Sequence, residues 1–232
     1  MSALKPLADW LGDLPQVILM DLDGTLVDSA ADIALSLNRA LADLGLGAVT
    51  EAQVRDWVGR GAARLIEVAL QHVVPHHGQD PQKHAVETRL LAAFMARYQD
   101  SVCEASTVYP GVAEFVAAAR NAGIRLACVT NKPYRPAVAL LEALNLLDAF
   151  ELVIGGDTLA HKKPHPEPLL HCLRHFEVTA AQALMVGDSR NDVDAAKAAG
   201  VKSLALPYGY NHGEPIEDCA PDRLVASLAE LI

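Results

Sequence analysis

Apolar residues recur along this chain in two rhythms. The run Val17-Ile18-Leu19-Met20 passes straight into Asp21-Leu22-Asp23-Gly24-Thr25-Leu26-Val27-Asp28. An unbroken apolar run of that length predicts a buried parallel strand over about 16–22, with acids at its carboxyl end. Further strands are expected over 124–130, 152–154, 183–186 and 201–206. Between them the apolar spacing lengthens to three and four. Helices are therefore expected over about 111–121, 136–144, 166–175 and 192–199, the last rich in Ala and closed by Gly200, with a terminal helix over about 221–231. Such alternation with short loops implies a parallel sheet covered on both faces.

The stretch from Asp28 to Tyr109 follows only the helical rhythm. Ile33, Leu37, Ala40, Leu41 and Leu44 form one stripe that stops at Gly45. Thr50-Glu51-Ala52-Gln53 matches a capping box opening a second helix. Gly59-Arg60-Gly61 interrupts it, a helix restarts over 62–74, a polar loop spans 75–81, and a longer helix spans 83–100. Leu90, Leu91, Phe94 and Tyr98 on that last helix read as core. No convincing strand appears among these roughly 80 residues. The expected fold is α/β, a Rossmann-like parallel sheet core with an inserted helical cap domain. The core would take residues 1–30 and 106–232 and the cap 31–105. Residues 1–15 read as a short leader that packs on the core or frays.

Composition narrows the partners. The 232 residues carry a formal net charge of -10, with 51% hydrophobic residues and no basic run. That balance argues against general binding to nucleic acid or to anionic membranes. No apolar run reaches the ~20 residues of a membrane span, and residues 1–15 lack a signal-peptide apolar core. Cys103, Cys128, Cys172 and Cys219 form no Cys-x-x-Cys pair and read as reduced thiols of a cytoplasmic protein, monomer or homodimer. His171 and His175 lie four apart on a helix but lack a third ligand and read as a solvated face, as do His76 and His77. Trp10 and Trp57 read as packing residues.

The acids change the picture most. On a regular strand Asp21 and Asp23 would share one face and repel each other, a cost that a divalent cation removes. Gly24 then breaks the strand. From this stretch alone, a strand-end site for metal and anion and a surface Asp-Gly turn are both open readings. Other strand ends add Thr130 and Asn131, the Lys162-Lys163 loop, and Asp188. In an open parallel sheet, strand ends on one edge gather around one crevice.

Four segments in order carry a resemblance to the haloacid dehalogenase-like phosphohydrolase superfamily that covers nearly the whole chain. They are Asp21-Leu22-Asp23-Gly24-Thr25-Leu26-Val27-Asp28-Ser29, Val129-Thr130-Asn131-Lys132, Lys163-Pro164-His165-Pro166-Glu167-Pro168 and Val186-Gly187-Asp188-Ser189-Arg190-Asn191-Asp192. The resemblance implies Asp21 as nucleophile and Asp23 as general acid and base, with Asp21 and Asp188 favouring its neutral form. It implies Mg²⁺ held by Asp21, the main-chain carbonyl of Asp23, and Asp188. Thr130 and the N–H of Asn131 would bind phosphoryl oxygens, Lys163 would offset their charge, and Asp192 would hold Lys163 or a metal-bound water. An acid at position 23 speaks against carbon–halogen cleavage, and a cap whose only lysine is Lys83 speaks against Schiff-base phosphonate cleavage.

Within the superfamily, Lys162-Lys163-Pro164-His165-Pro166 and Leu206-Pro207-Tyr208-Gly209-Tyr210-Asn211 are similar to the bacterial phosphoglycolate phosphatases. The implied activity is Mg²⁺-dependent hydrolysis of a small phosphomonoester through an aspartyl-phosphate, with 2-phosphoglycolate giving glycolate and phosphate. A phosphatase for another small phosphate or a sugar phosphate, a phosphosugar mutase, and a non-catalytic binding module stay open at this point. The Gly59–Gly61 amides, with Arg60 or Arg64, are open to two readings, a second anion site or a mobile surface loop with solvated arginines.

Overall fold

The four side chains of the first strand have no accessible surface at all, and the rest of the core is layered on them. A computed structural model describes residues 3–76, 78 and 82–232. Along the chain the strands are β1 (Val17–Met20), β2 (Val27–Asp28), β3 (Thr107–Val108), β4 (Arg125–Val129), β5 (Leu152–Ile154), β6 (Ala183–Gly187), β7 (Lys202–Ala205) and β8 (Arg223–Leu224). The helices are α1 (Lys5–Leu11), α2 (Ala30–Asp43), α3 (Glu51–Trp57), α4 (Ala62–Val73), α5 (Lys83–Asp100), α6 (Val112–Asn121), α7 (Tyr134–Ala143), α8 (Glu167–Phe176) and α9 (Arg190–Ala199).

Among the described residues six strands form one sheet in the order β5-β4-β1-β6-β7-β8, every neighbouring pair parallel. Alternation sorts the side chains of each strand between two faces. Ile18, Met20, Leu126, Cys128, Leu184 and Val186 join one apolar cluster, against α1, α6 and α7. Val17, Leu19, Ala127, Val129, Ala183 and Met185 join the other, against α8 and α9. This is the Rossmann-like α/β arrangement. Chain order reverses beside β1, which pairs with β4 on one side and β6 on the other. Such a switch point opens a crevice beyond the carboxyl ends of the strands.

Helices α2–α5 pack on one another around a separate apolar cluster that includes Ile33, Leu37, Leu65, Leu70, Leu90 and Phe94. The capping box at Thr50 forms as its sequence predicts, Thr50 Oγ1 accepting from Gln53 N–H. This helical insert joins the core through β2 and β3, which pair antiparallel with Val27 opposite Val108. The return link is fixed by Asp32, whose carboxylate accepts N–H bonds from Ala105 and Ser106 and the Ser106 hydroxyl.

Two sequence expectations change and one open choice is resolved. Thr107–Val108 is a strand inside the stretch expected to be purely helical. It forms because two residues suffice when Val27–Asp28 supplies the partner edge. The terminal segment is not a helix over 221–231. Leu224, Val225, Leu228 and Leu231 mimic helical spacing, but Asp222 accepts from Ser203 N–H and Oγ, and Val225 N–H bonds Ala205. Those contacts draw Arg223–Leu224 onto the sheet edge as β8, leaving only a 3-10 turn at Leu228–Leu231. The first 15 residues pack rather than fray from Leu4 onward, since Leu4 and Leu7 are fully buried and α1 lies in the core cluster. His77 and part of the expected 75–81 loop lie outside the described residues.

Candidate active site

At the carboxyl end of β1 the chain leaves the sheet, and Asp21 stands at the switch point, 7% exposed. Its Oδ1 accepts the Leu22 N–H at 2.7 Å and lies 3.0 Å from Lys163 Nζ. Asp188 follows β6. It accepts Thr25 Oγ1 at 2.5 Å and the Tyr210 N–H at 2.6 Å. Asp192, on the first turn of α9, divides its carboxylate. Oδ2 closes the Ser189 capping box, and Oδ1 takes Lys163 Nζ at 2.7 Å.

Lys163 therefore spends its three protons on Asp21, Asp192 and the Val129 carbonyl, the last at 2.5 Å. Burial works against its charge, yet Asp192 and Asp21 hold the ammonium above its usual range. The acids carry the opposite strain. Burial lifts the Asp21 carboxyl to about 7, against the pull of Lys163 and with Asp192 adding to the rise. Burial, then the charges of Asp192 and Asp21, push Asp188 well up, against its bonds to Thr25 and Tyr210.

Asp21, Asp188 and Asp192 each present a carboxylate oxygen, all within 4.8 Å of one another. Three hard oxygen donors with one ammonium among them form a net anionic cluster, which fits a divalent cation such as magnesium. Asp23 is not part of this cluster. Its two oxygens take Lys132 Nζ at 2.8 and 3.0 Å, and Oδ1 also accepts Ser29 Oγ. The crowding expected around Asp23 is thus replaced by a buried ion pair, because Lys132 turns in from the loop after β4.

Glycines let the backbone press against the acids. A Cβ on Gly24, at φ +87°, would stand 2.3 Å from Asp188 Oδ2, and one on Gly209 would stand 2.3 Å from Asp188 Cβ. The Tyr208-Gly209-Tyr210 stretch accordingly wraps the site. Tyr208 donates its hydroxyl to the Thr25 carbonyl, and Tyr210 accepts the Ser29 and Ala30 N–H groups while donating to Asp28. Gly209→Ala is expected to destabilise the fold by about 1–3 kcal/mol, the usual cost of overpacking. Urea unfolding measures this, and an unchanged midpoint would mean that Asp188 gives way freely.

Asp21, Asp23, Thr130, Asn131 and Lys132 line a cavity of about 40 Å³ closed by Ile33, Val58, Gly59, Gly61, Leu65, Phe94 and Tyr98 of the insert. The Asn131 side chain donates to the Gly59 and Lys163 carbonyls at 2.8 Å each, tying the insert to the sheet. Gly61 reaches the cavity wall, but the two arginines do not line it. Arg60 is exposed, and Arg64 gives its guanidinium to Glu67 at 2.5 Å. The site residues expected from sequence, Asp21, Asp23, Thr130, Asn131, Lys163 and Asp188, all meet at this one sheet edge. Lys132 and Tyr98 are additions: the first closes the Val129–Lys132 segment with no role assigned from sequence, and the second reads as part of a core stripe.

A family model described as haloacid dehalogenase-like hydrolase matches residues 18–206. The chain is 44% identical over 217 residues to a phosphoglycolate phosphatase of Nitrosococcus oceani, covering 94% of this chain and 95% of that one. Among solved structures, a Haemophilus somnus protein described as a predicted phosphoglycolate phosphatase superposes with a TM-score of 0.85 at 34% identity, covering 93% of this chain and 96% of that one. CbbY from Rhodobacter sphaeroides, solved with phosphate, gives a TM-score of 0.79 at 29% identity, over 94% and 96% of the two chains.

Proposed function

The chain belongs to the haloacid dehalogenase-like hydrolase family and is a phosphatase, and from that premise we propose how its site works and on what. The observation that carries the reading is the pairing of Asp21 with Lys163 at 3.0 Å beside Asp188, with Asp23 next to the same small cavity.

In this reading residues 1–30 and 106–232 form the catalytic core and 31–105 the cap. Asp21 and Asp188, with the main-chain carbonyl of Asp23, would hold Mg²⁺, which would supply positive charge against the carboxylates and the phosphoryl oxygens. Asp21 Oδ1 is held by Leu22 and Lys163, which leaves Oδ2 to attack phosphorus. The Oδ2–P bond forms as the bond from phosphorus to the ester oxygen breaks, and that oxygen takes its proton from Asp23, which enters the cycle protonated and so gives up its ion pair with Lys132. Asp23 then takes a proton from water, which attacks the aspartyl-phosphate, releases phosphate and restores Asp21. Thr130 and the Asn131 N–H hold phosphoryl oxygens in line, and Lys163 neutralises them. The cap excludes water during this sequence.

The substrate in this reading is 2-phosphoglycolate. The Nitrosococcus oceani relative, 44% identical over nearly the whole of both chains, carries that activity in its name. Four free cysteines agree with a cytoplasmic setting. The test is phosphate release from 2-phosphoglycolate, glycerol phosphates, hexose phosphates and nucleotides, with Mg²⁺ and with chelator. The expected result is a kcat/KM for 2-phosphoglycolate roughly 100-fold or more above the others, abolished by chelator. Broad or hexose-directed hydrolysis would remove the substrate assignment and keep the mechanism.

A further inference from the structure

Two buried lysines stand at this site, and their protons are used differently. Lys163 directs all three at oxygens. Lys132 directs two at the Asp23 carboxylate, and its remaining neighbour is the Tyr98 ring, with Nζ 4.6 Å from the ring centroid. Tyr98 is 2% exposed, and its hydroxyl makes no well-formed hydrogen bond among the described residues, with the Lys132 ammonium as its polar neighbour. A buried hydroxyl left without a partner costs free energy, so such groups ordinarily find one. Both residues line the cavity that holds Asp21 and Asp23. The surrounding insert wall is apolar, built of Ile33, Val58, Leu65 and Phe94.

We propose that Lys132 and Tyr98 form a carboxylate subsite, which selects phosphate monoesters of 2-hydroxy acids. The inference rests on the phosphatase reading above and deepens it. An ammonium and a hydroxyl, side by side and walled by apolar groups, suit a compact anion better than a sugar, whose hydroxyls would meet carbon. Position sets the class further. Asp23 is the proposed proton donor to the ester oxygen, and Lys132 sits on Asp23 at 2.8 Å. A group bonded to the carbon that bears the ester oxygen therefore falls beside Lys132, whereas an acid one carbon further along the chain overshoots it. The exposed Arg60 and the Glu67-paired Arg64 take no part in this recognition.

The experiment compares 2-phosphoglycolate with ethyl phosphate, which has the same backbone and no acid. In the wild type the ratio of the two kcat/KM values measures what the carboxylate contributes. Lys132→Met is expected to lower kcat/KM for 2-phosphoglycolate roughly 100-fold or more, and for ethyl phosphate about tenfold or less. Tyr98→Phe, which keeps the ring under Lys132, is expected to lower the ratio about three- to tenfold. Equal losses on both esters in Lys132→Met would overturn the proposal and leave Lys132 as a positioning residue for Asp23. Should Lys132→Met fail to fold, Tyr98→Phe decides alone, and an unchanged ratio there refutes the subsite. A wild type that turns over ethyl phosphate as well as 2-phosphoglycolate instead refutes the substrate assignment. One that hydrolyses neither, in Mg²⁺, refutes the phosphatase reading itself.

Discussion

Asp21→Asn is expected to lower kcat by roughly 10⁴-fold or more, the scale on which covalent catalysis is lost with its nucleophile, while the protein stays folded. Asparagine keeps the shape of the side chain and retains an oxygen for the Leu22 N–H and Lys163, and Lys163 keeps Asp192 and the Val129 carbonyl. Folding stability separates this outcome from a general collapse of the site. Burial raises the Asp21 carboxyl to about 7 in the folded chain, from the ordinary 3.8. A carboxyl raised on folding contributes stability that is full below its unfolded value and is lost as pH rises through the folded value. In chelator, wild type should therefore lose stability between about pH 4 and pH 7 that Asp21→Asn does not lose. Thermal melts of both proteins at pH 5 and pH 8 measure the difference, with the variant gaining on the wild type at pH 8. A variant that keeps a tenth of the wild-type rate would rule out Asp21 as nucleophile. A binding module would show no turnover to lose.

The parts of this molecule that short-range pattern controls were legible in the sequence. The strands β1, β4, β5, β6 and β7 were legible to within about two residues, because their centres are apolar where the sheet is covered on both faces. The Thr50 capping box formed because its partners are three residues apart. Asp21 and Asp188 stood out as acids directly after such strands, where a parallel sheet leaves its ends open. Contacts between distant parts of the chain were not legible. Lys132 closes the Val129–Lys132 segment, but nothing in the sequence shows that Asp23, 109 positions earlier, is brought against it. Asp32, to which the sequence assigns no role, is fully buried and holds the return link at Ala105 and Ser106. Periodicity rightly assigned Tyr98 to a core stripe, because its ring stacks on Phe94 at 5.5 Å, and could not say where its hydroxyl ends. The edge strand β8 was hidden by its own spacing, since Asp222 and not apolar pattern sets it on the sheet.

The links between insert and sheet gather polar groups beside the acids. Asp28 pairs with Arg55 of α3 at 2.9 Å and receives the Tyr210 hydroxyl, while the backbone of Tyr210 holds Asp188. Asn131 reaches across to Gly59, and Lys162 donates to the Arg60 carbonyl at 2.8 Å. These contacts join residues of the insert to the same loops that carry the acids.

Asp23→Asn separates proton transfer from metal binding. The proposed roles give its side chain to the proton and its main-chain carbonyl to Mg²⁺, so the substitution removes only the first. Turnover of 2-phosphoglycolate is expected to fall about 10²–10⁴-fold, the range for loss of a general acid and base. The rise in melting temperature on adding Mg²⁺ should remain close to that of wild type, because a cation that binds the folded chain stabilises it by mass action. Asp188→Asn is the counterpart. It removes a charged oxygen from the acid cluster and should lose most of that Mg²⁺-dependent rise. The fold has reason to survive Asp23→Asn, since the amide oxygen can still accept from Ser29 Oγ and from Lys132. Esters with better leaving groups provide a further check. An aryl phosphate, whose leaving oxygen needs little help from an acid, should be less impaired in Asp23→Asn than 2-phosphoglycolate. If the Mg²⁺-dependent rise vanished in Asp23→Asn, or if aryl and alkyl esters lost equally, the division between side chain and carbonyl would be wrong, and Asp23 would act through its place in the metal site.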